Sequence, residues 1–359
     1  MSTSLLYISP VIPRLTGNGL AMRAGMVLEA LASHHCVSLL VKPLYPPFGP
    51  IPDVFVRMCR RVAVGRSFYR LRRFDVVHVF RLASVPAARP FLKESAQHHL
   101  DMDEIESETH QRLAGLRRQN GDLALAATEE SRARSSAALE TRVLWDFNRV
   151  YVCSKIDREK LLKRARGEIC ILPNSIRLPR TIAARNPSGP FLFAGTLSYY
   201  PNEDACRYLR NDIVPRLPEM QFQIVGTGAT ADFRRVVSHA RIQIVGEVAD
   251  IAPWYNNAAA VVVPVRGGGG TRIKILEAFS FRRPVIATTA GLEGIDARHD
   301  ESVLIADTPD QFAQACRRIA NDPELGQRLA ENAFRLVERL YSAESTKRTI
   351  AGFSWPPAR

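Results

Sequence analysis

The sequence has no apolar run long enough to cross a membrane, and its cysteines are few and scattered. The six cysteines show no metal-ligand spacing, which favours reduced thiols in a cytoplasmic protein. The first apolar stretch, residues 5–8, is too short for a signal peptide and lacks its basic flank. These absences argue against a membrane-spanning protein, a zinc-bound domain and a disulfide-stabilised secreted domain. With 359 residues, 46% of them hydrophobic, the chain can form two domains with separate cores.

Acidic residues are too few to balance the basic residues in the first half of the chain. Residues 1–186 hold 29 of the 49 Lys and Arg residues and 17 of the 36 Asp and Glu residues, so +12 of the net charge of +13 lies there. This asymmetry points to an acidic partner, which is an anionic membrane surface, a phosphorylated acceptor or a nucleic acid. The arginine-rich region lacks aromatic interleaving of the stacking kind and shows no recognised nucleic-acid motif, which disfavours nucleic acid.

The densest basic stretch is residues 56–74, where arginines interleave with apolar residues. The spacing resembles that of an amphipathic helix lying on a membrane surface, although Gly65 interrupts it. A solvated basic helix is the alternative interpretation.

Strand and helix patterns alternate through both halves of the chain. We predict strands at residues 5–9, 36–41, 76–80, 98–102, 150–153, 168–172, 191–194, 222–225, 242–245, 260–265, 285–288 and 302–305. Helical spacing lies between most of them, which predicts an α/β fold with two doubly wound parallel sheets. We place the first domain at residues 1–175 with a helical insertion at 105–145, a linker at 176–190, the second domain at 191–341, and a C-terminal tail at 342–359 that crosses back to the first domain.

The most informative stretch is the glycine-rich loop that joins the strand at residues 260–265 to a helix beginning near Ile273. Such a loop brings bare backbone N–H groups and a positive helix end to the edge of a sheet. Arg272 and Lys274 are disfavoured at this helix start unless an anion binds nearby. We therefore predict a diphosphate site, with Glu277 accepting hydrogen bonds from sugar or ribose hydroxyls. A flexible surface loop is the alternative.

Three more glycine loops follow predicted strands of the second half, after residues 194, 225 and 288. Glycine after a strand is common in turns, so each loop alone is a weak signal, and four at the strand ends of one sheet are a stronger one. The candidate ligand-binding residues of these loops are Gly195, Thr196, Gly226, Gly228, Gly268, Gly269, Gly270 and Thr271.

An acidic cluster follows the predicted strand at residues 98–102. Asp101 and Asp103 have the spacing with which two carboxylates can hold Mg²⁺. A second interpretation is that one of them faces a cleft between the domains and contacts the acceptor hydroxyl or the donor sugar. A third is that the cluster caps the following helix.

Several of these motifs together resemble a known family. Phe193-Ala194-Gly195-Thr196, Val225-Gly226-Thr227-Gly228, Gly268 to Ala278 and Pro284 to Thr288 are similar to the nucleotide-sugar domain of family 4 retaining glycosyltransferases, over about residues 170–340. The resemblance implies the two-domain GT-B fold, with two Rossmann-like domains facing each other across a cleft. In the first half, Gly17 and Gly19 resemble the family's first glycine loop.

The resemblance also implies roles for residues. The family's signature is two glutamates separated by seven residues; Glu277 matches the second, which holds the donor ribose, and Gly269 replaces the first. The family's Arg/Lys pair after the first strand of this domain is absent. From charge and position, we expect Arg272 and Lys274 to stabilise the leaving diphosphate, with Asp101 or Asp103 as further catalytic candidates.

The expected function is transfer of a hexosyl group, with retention and without a metal or other cofactor, from a nucleotide diphosphate sugar to an acceptor hydroxyl. The acceptor is a lipid-linked sugar, a polysaccharide precursor or a small natural product, and the protein acts in the cytoplasm or at the inner face of the membrane. The alternatives are an epimerase or phosphorylase on the same fold, and a non-catalytic basic nucleic-acid-binding protein.

Overall fold

The computed structural model describes residues 3–43, 49–65 and 73–357. The chain forms two compact units. The first contains Met1–Arg177, Gly269–Thr271 and Ser342–Arg359, and the second contains Leu178–Gly268 and Arg272–Tyr341. Among the described residues, no helix is both long and apolar enough to span a bilayer. The structure describes all six cysteines, and none of them forms a disulfide.

The first unit is built on a seven-stranded parallel sheet in the order β3-β2-β1-β4-β5-β6-β7. Its strands are β1 Ser4–Ser9, β2 Cys36–Val41, β3 Arg61–Val64, β4 Val76–Phe80, β5 Gln97–Asp103, β6 Arg149–Val152 and β7 Glu168–Ile171. Its first six helices are α1 Gly19–Ala32, α2 Asp53–Met58, α3 Val85–Leu92, α4 Glu106–Gln119, α5 Leu123–Val143 and α6 Lys155–Leu161.

Helices cover both faces of this sheet, which explains why β1 and β4 read as continuous apolar runs rather than alternating ones. One face packs its core against α3, α5 and α6, through residues such as Phe91, Val143 and Leu161. The other face packs against α1 through residues such as Val27 and Leu31.

The second unit is built on a six-stranded parallel sheet in the order β10-β9-β8-β11-β12-β13. Its strands are β8 Phe191–Ala194, β9 Phe222–Val225, β10 Ile242–Gly246, β11 Ala260–Val263, β12 Val285–Ala287 and β13 Leu304–Ile305. Its helices are α7 Tyr200–Tyr208, α8 Ala231–Val237, α9 Ala252–Asn257, α10 Ile273–Ser280, α11 Thr289–Leu292, α12 Pro309–Asn321 and α13 Pro323–Leu340. The two parallel sheets confirm the predicted fold class.

After α13 the chain returns to the first unit in helix α14, Ala343–Ala351, which packs against α1. The backbone N–H of Ala343 donates to Ile176 O at 2.9 Å. Beyond the helix, Trp355 lies against His35 with ring centroids 4.2 Å apart. Residues 342–357 therefore complete the apolar layer on this face of the first sheet.

The basic stretch at residues 56–74 differs from the predicted amphipathic helix. It contains the end of the short helix α2 and then the edge strand β3, while residues 66–72 lie outside the described residues. The sequence Arg-Val-Ala-Val alternates with the period of a strand, and it pairs in parallel with β2 from Ser38 to Val41. The helix prediction was wrong for Arg61–Val64 because β-branched residues at an exposed sheet edge favour extended backbone.

Candidate functional site

The order of the second sheet defines where a ligand can enter this unit. From β8 the chain moves outward to β9 and β10, and it then crosses to the other side of β8 to form β11. The loops after β8 and β11 therefore leave neighbouring strands in opposite directions. Open α/β sheets bind ligands in the crevice that such a reversal creates. Two loops lie at this point. One starts at Gly195, and the other is the glycine-rich loop after β11, which contains Gly267, Gly268, Gly269 and Gly270 and is called the tetraglycine loop below.

The tetraglycine loop needs glycine for conformational reasons. Gly268 has φ 103° and Gly270 has φ 65°, which are left-handed conformations that side chains disfavour. Arg266 anchors the start of the loop to α7, because its guanidinium donates to both carboxylate oxygens of buried Asp204, at 2.6 and 3.0 Å. The loop thus has a fixed origin on the second unit, which argues against the flexible-loop alternative.

Lys274 lies in the first turn of α10, and its side chain reaches back to the end of β8. Its Nζ donates to Asn202 Oδ1 at 2.6 Å and lies 4.2 Å from the centroid of the Phe193 ring. A Cβ on Gly195 would be only 2.6 Å from this Nζ, so glycine is what allows the amine to approach the strand end. Asn202 is itself held in place, because its Nδ2 donates to Thr196 O at 2.8 Å.

Burial, together with repulsion from Arg272, lowers the pKa of Lys274 to about 7. Arg272 is the N-cap residue of α10 and donates from Nη2 to Gly267 O at 3.2 Å. No acidic residue occupies the first turn of this helix. Two cations therefore stand at a positive helix end, where an anionic ligand would stabilise both.

Glu277 lies one turn further along α10. Its carboxylate accepts a hydrogen bond from buried Tyr255 Oη at 3.1 Å, and the Tyr255 ring stacks on Phe281 at 5.0 Å. Burial raises the pKa of Glu277 to about 7. A partly buried carboxylate with a single neutral donor has remaining lone pairs with which to accept hydroxyl hydrogen bonds.

The middle of the tetraglycine loop belongs with the first unit. A Cβ on Gly269 would overlap the hydroxyl of Thr109 and the carboxylate of Glu104. Position 269 therefore has no room for a side chain unless these two neighbours move. In the same segment, the hydroxyl of Thr271 is buried and has no hydrogen-bond partner among the described residues. An unsatisfied buried hydroxyl is a group that a ligand oxygen could pair with.

Asp101 is placed differently from the expectation of a cleft carboxylate. It is fully buried and accepts from Arg23 Nη2 at 2.7 Å and from Arg23 Nε at 3.1 Å. The Arg23 guanidinium, also buried, completes its bonding with Leu172 O at 3.0 Å and Asn174 Oδ1 at 3.1 Å. This closed network gives Asp101 a structural role in the first unit.

Asp103 stands at the end of β5 with a left-handed backbone, φ 62°, and a side chain that is 14% exposed. Its carboxylate accepts from Asn174 Nδ2 at 3.2 Å and from Arg81 Nη1 at 3.3 Å. Neither aspartate caps the next helix, since the N-cap of α4 is Ile105, which makes no side-chain cap bond. Within the described ranges, no group of three or more His, Cys, Asp or Glu residues could hold a metal ion.

The remaining predicted loop residues lie at the start of α1 and after β9. Gly17 precedes α1, where Asn18 Oδ1 accepts from Ala21 N at 2.9 Å and Gly19 begins the helix. Gly226 and Gly228 follow β9, next to Gly195 and Ser198 respectively. Sequence reasoning missed Asn202 as a site residue, although it is the direct partner of Lys274, because the two are 72 residues apart.

A separate cavity of about 740 Å³ lies between α12 and α13 and is lined by Arg216, Arg317, Arg318 and Arg328. Three of these arginines are paired with carboxylates, on Asp310, Glu219 and Asp300. The fourth donates to Asp300 O at 2.9 Å. None of the glycine-loop residues lines this cavity, and three of its four arginines already have a carboxylate partner in the protein.

Most of the second unit matches a known family. Residues 189–322 match the family model described as glycosyl transferases group 1. A curated relative, glycosyltransferase 1 domain-containing protein 1 of Xenopus tropicalis, is 32% identical over 80 residues, which are 22% of this chain and 23% of that relative. The match thus spans less than a quarter of that protein's length.

Solved structures extend the likeness to the whole chain. The sucrose-phosphate synthase of Thermosynechococcus elongatus has a TM-score of 0.74 at 16% identity and 97% coverage of both chains. HepE of Anabaena, solved with UDP and glucose, has a TM-score of 0.68 at 13% identity, with 97% of this chain and 98% of that chain covered. A glycosyltransferase of Rickettsia africae has a TM-score of 0.64 at 12% identity, with 98% and 97% covered. The chain therefore has the GT-B glycosyltransferase fold, and its residues 189–322 match the glycosyl transferases group 1 family.

Proposed function

We propose that the protein is a glycosyltransferase that moves a hexosyl group from a nucleotide diphosphate sugar to an acceptor hydroxyl, with retention at the anomeric carbon and without a metal ion. The observation that carries the proposal is Lys274, a partly buried amine held at the end of β8 beside Gly195, with an amide oxygen rather than a carboxylate as its partner. A group of this kind is suited to a ligand diphosphate.

In the proposed reaction, the bond between the anomeric carbon and the diphosphate oxygen breaks, and a bond to the acceptor oxygen forms on the same face of the sugar. The acceptor proton goes to the leaving diphosphate. Lys274, Arg272 and the backbone N–H groups of the tetraglycine loop stabilise the negative charge that grows on that leaving group. Glu277 holds the ribose, since its carboxylate has only Tyr255 as a hydrogen-bond donor in the described structure.

The direct test is release of free nucleoside diphosphate. A panel of UDP-, GDP-, ADP- and dTDP-sugars is screened first by thermal shift; the HepE structure with UDP and glucose makes uridine donors the starting point. A donor at a hundred times its dissociation constant adds about 2.7 kcal/mol to stability. Acceptor-dependent release of nucleoside diphosphate, with the anomeric configuration of the product retained by NMR and the rate unchanged by EDTA, supports the proposal. Conversion of the donor without acceptor supports an epimerase instead, and phosphate-dependent release of sugar 1-phosphate supports a phosphorylase.

We further propose that the acceptor is presented at an anionic membrane surface by the first unit. Val54 and Val56 on α2 are 38% and 46% exposed, and Val64 on β3 is 41% exposed. Arg57, Arg60 and Arg61 are exposed on the same short segment. Exposed valines among arginines are the combination that binds acidic bilayers.

This acceptor proposal is tested with vesicles. The protein should sediment with vesicles that contain acidic lipid and be released as salt rises, because the attraction is screened beyond a Debye length. Arg57→Gln, Arg60→Gln and Arg61→Gln together should abolish sedimentation while leaving donor affinity unchanged. Absence of sedimentation at low salt points to a soluble acceptor. Salt-sensitive binding of RNA or DNA, without nucleotide-sugar affinity, would favour the nucleic-acid alternative over enzyme function.

A further inference from the structure

The amine of Lys274 has an unusual set of neighbours for a lysine at a ligand site. Its Nζ has one hydrogen-bond partner among the described residues, the neutral amide oxygen of Asn202, and lies over the face of Phe193. Across the same described ranges, no carboxylate comes within ion-pair distance of it. The side chain is partly buried, so water compensates the charge only in part.

Among the residues that the structure describes, three charged or titratable groups act on this amine. Arg272 on the same helix opposes its charge, Glu277 one turn on favours it, and the Cys206 thiol on α7 is neutral because burial raises its pKa. The positive end of α10 adds a further unfavourable term. Of these groups only Glu277 offers negative charge, and it is not close enough to form an ion pair with Lys274.

We propose that binding of a nucleotide diphosphate donor draws a proton from solvent onto the Lys274 amine, which is partly neutral in the ligand-free protein. The inference rests on the proposed function, since it assumes that the diphosphate binds at this strand end. The diphosphate supplies the anion that the site lacks, and the proton completes the ion pair. Burial, which lowers the pKa of Lys274 to about 7, agrees with this geometry.

The sign of the effect follows from linkage. A bound anion raises the pKa of a lysine, by about 2 for a close unscreened pair. With a ligand-free value near 7, donor binding should take up about 0.8 proton at pH 8 and about 0.1 at pH 6. Donor affinity should be about fivefold weaker at pH 8 than at pH 7, because at the higher pH more of the amine must be protonated on binding.

The experiment is isothermal titration calorimetry without acceptor, using whichever of UDP-glucose, GDP-mannose, ADP-glucose and dTDP-glucose binds most tightly. These diphosphate diesters do not titrate between pH 6 and pH 8, so protons taken up come to the protein. Titrations at pH 8 in buffers of different ionisation enthalpy give the number of protons directly. Glu277, whose pKa is about 7, is also deprotonated at this pH, so a variant at this position is needed to separate its proton uptake from that of Lys274.

Three variants assign the proton to its residue. Lys274→Arg keeps the positive charge but does not titrate near neutrality, so uptake should vanish and the pH dependence of affinity should flatten. Asn202→Asp places a carboxylate beside Nζ and charges the amine before ligand arrives, so uptake should also vanish while the lysine remains. Glu277→Gln should keep the uptake of the wild-type protein at pH 8. Circular dichroism confirms that each variant is folded.

The outcomes separate the inference from the proposed function. If no nucleotide sugar binds, the proposed function fails. If a donor binds with uptake below about 0.2 proton at pH 8, the site is charged in advance and the inference is overturned. If Lys274→Arg retains the full uptake, another group takes the proton and the assignment to Lys274 is wrong.

Discussion

The two units differ in the partners of the charged residues near their strand ends. In the first unit, Arg23 and Asp101 are both buried and satisfy one another, and backbone and amide oxygens take the remaining guanidinium donors. In the second unit, Lys274 and Glu277 lie one turn apart, yet their partners are the uncharged groups of Asn202 and Tyr255. A closed ion pair holds a fold together, whereas charges left with neutral partners are available to a ligand. The same α/β architecture thus carries a buried ion pair in one unit and the proposed binding site in the other.

The largest effect should come from breaking the buried Arg23–Asp101 ion pair. Asp101→Asn removes the carboxylate that binds the buried Arg23 guanidinium most closely and leaves Asp103, at 3.6 Å, as its remaining anion. Loss of this buried pair should cost about 3–5 kcal/mol of unfolding free energy. Urea unfolding followed by circular dichroism measures the loss. The matched control is Asp232→Asn, which breaks the exposed pair with Arg235 and should cost less than about 1 kcal/mol. If both changes had equal, small effects, the buried Arg23–Asp101 pair would not stabilise the fold.

Replacement of Lys274 in the second unit should affect the reaction rather than the fold. Lys274→Ala should lower turnover about 10²-fold or more, by the usual magnitude for the loss of one charge-stabilising donor. Its unfolding midpoint should stay close to wild type, because no ion pair is broken. Steady-state rates of nucleoside diphosphate release check this, with the exposed Arg235→Ala as control. Arg272→Ala should behave like Lys274→Ala, and wild-type rates in both would remove these residues from the site.

The buried histidines of the first unit should make its stability depend on pH. His78 is buried beside Tyr7 and Tyr151, its ring nitrogens have no hydrogen-bond partner among the described residues, and burial lowers its pKa to about 3. The folded pKa lies below the unfolded value of about 6.5, so stability is present above that value and is lost as pH falls. Unfolding free energy should drop by about 2 kcal/mol between pH 7 and pH 5 from this group.

Urea titrations at the two pH values check the histidine prediction. His78→Gln should remove that part of the pH dependence. An identical slope in the variant would assign the acid sensitivity to other groups. The candidates are His99, whose pKa burial lowers well below its usual value, and His35, whose pKa burial lowers to about 4.

The smallest effect should come from Glu277. Glu277→Ala should weaken nucleotide binding about tenfold, by the worth of hydrogen bonds to a charged acceptor, because the ribose contact is present before and during transfer. Calorimetry with the nucleoside diphosphate measures the change, and the exposed Glu324→Ala serves as control. Tyr255→Phe, which removes the donor to Glu277 but keeps the carboxylate, should have a smaller effect. Unchanged affinity in Glu277→Ala would exclude the ribose role.

Local patterns were enough to predict most of the strands, because buried parallel strands are short β-branched runs bounded by glycine. The same patterns located Lys274 and Glu277 next to the tetraglycine loop. What they could not give was the partner of each charge. The sequence around Asp101 does not indicate that its carboxylate is bound by Arg23, which lies 78 residues away in the chain. Side-chain pairing over such separations depends on how the sheet is ordered, and composition alone does not encode it.

The crowded position of Gly269 has a consequence for how this sequence can change. A substitution at this position to any residue with a side chain meets the side chains of Thr109 and Glu104 in the space that its own Cβ needs. The substitution is therefore sterically penalised unless those neighbours also change. A laboratory evolution experiment that starts from this chain should accept a side chain at position 269 only together with a change at Thr109 or Glu104.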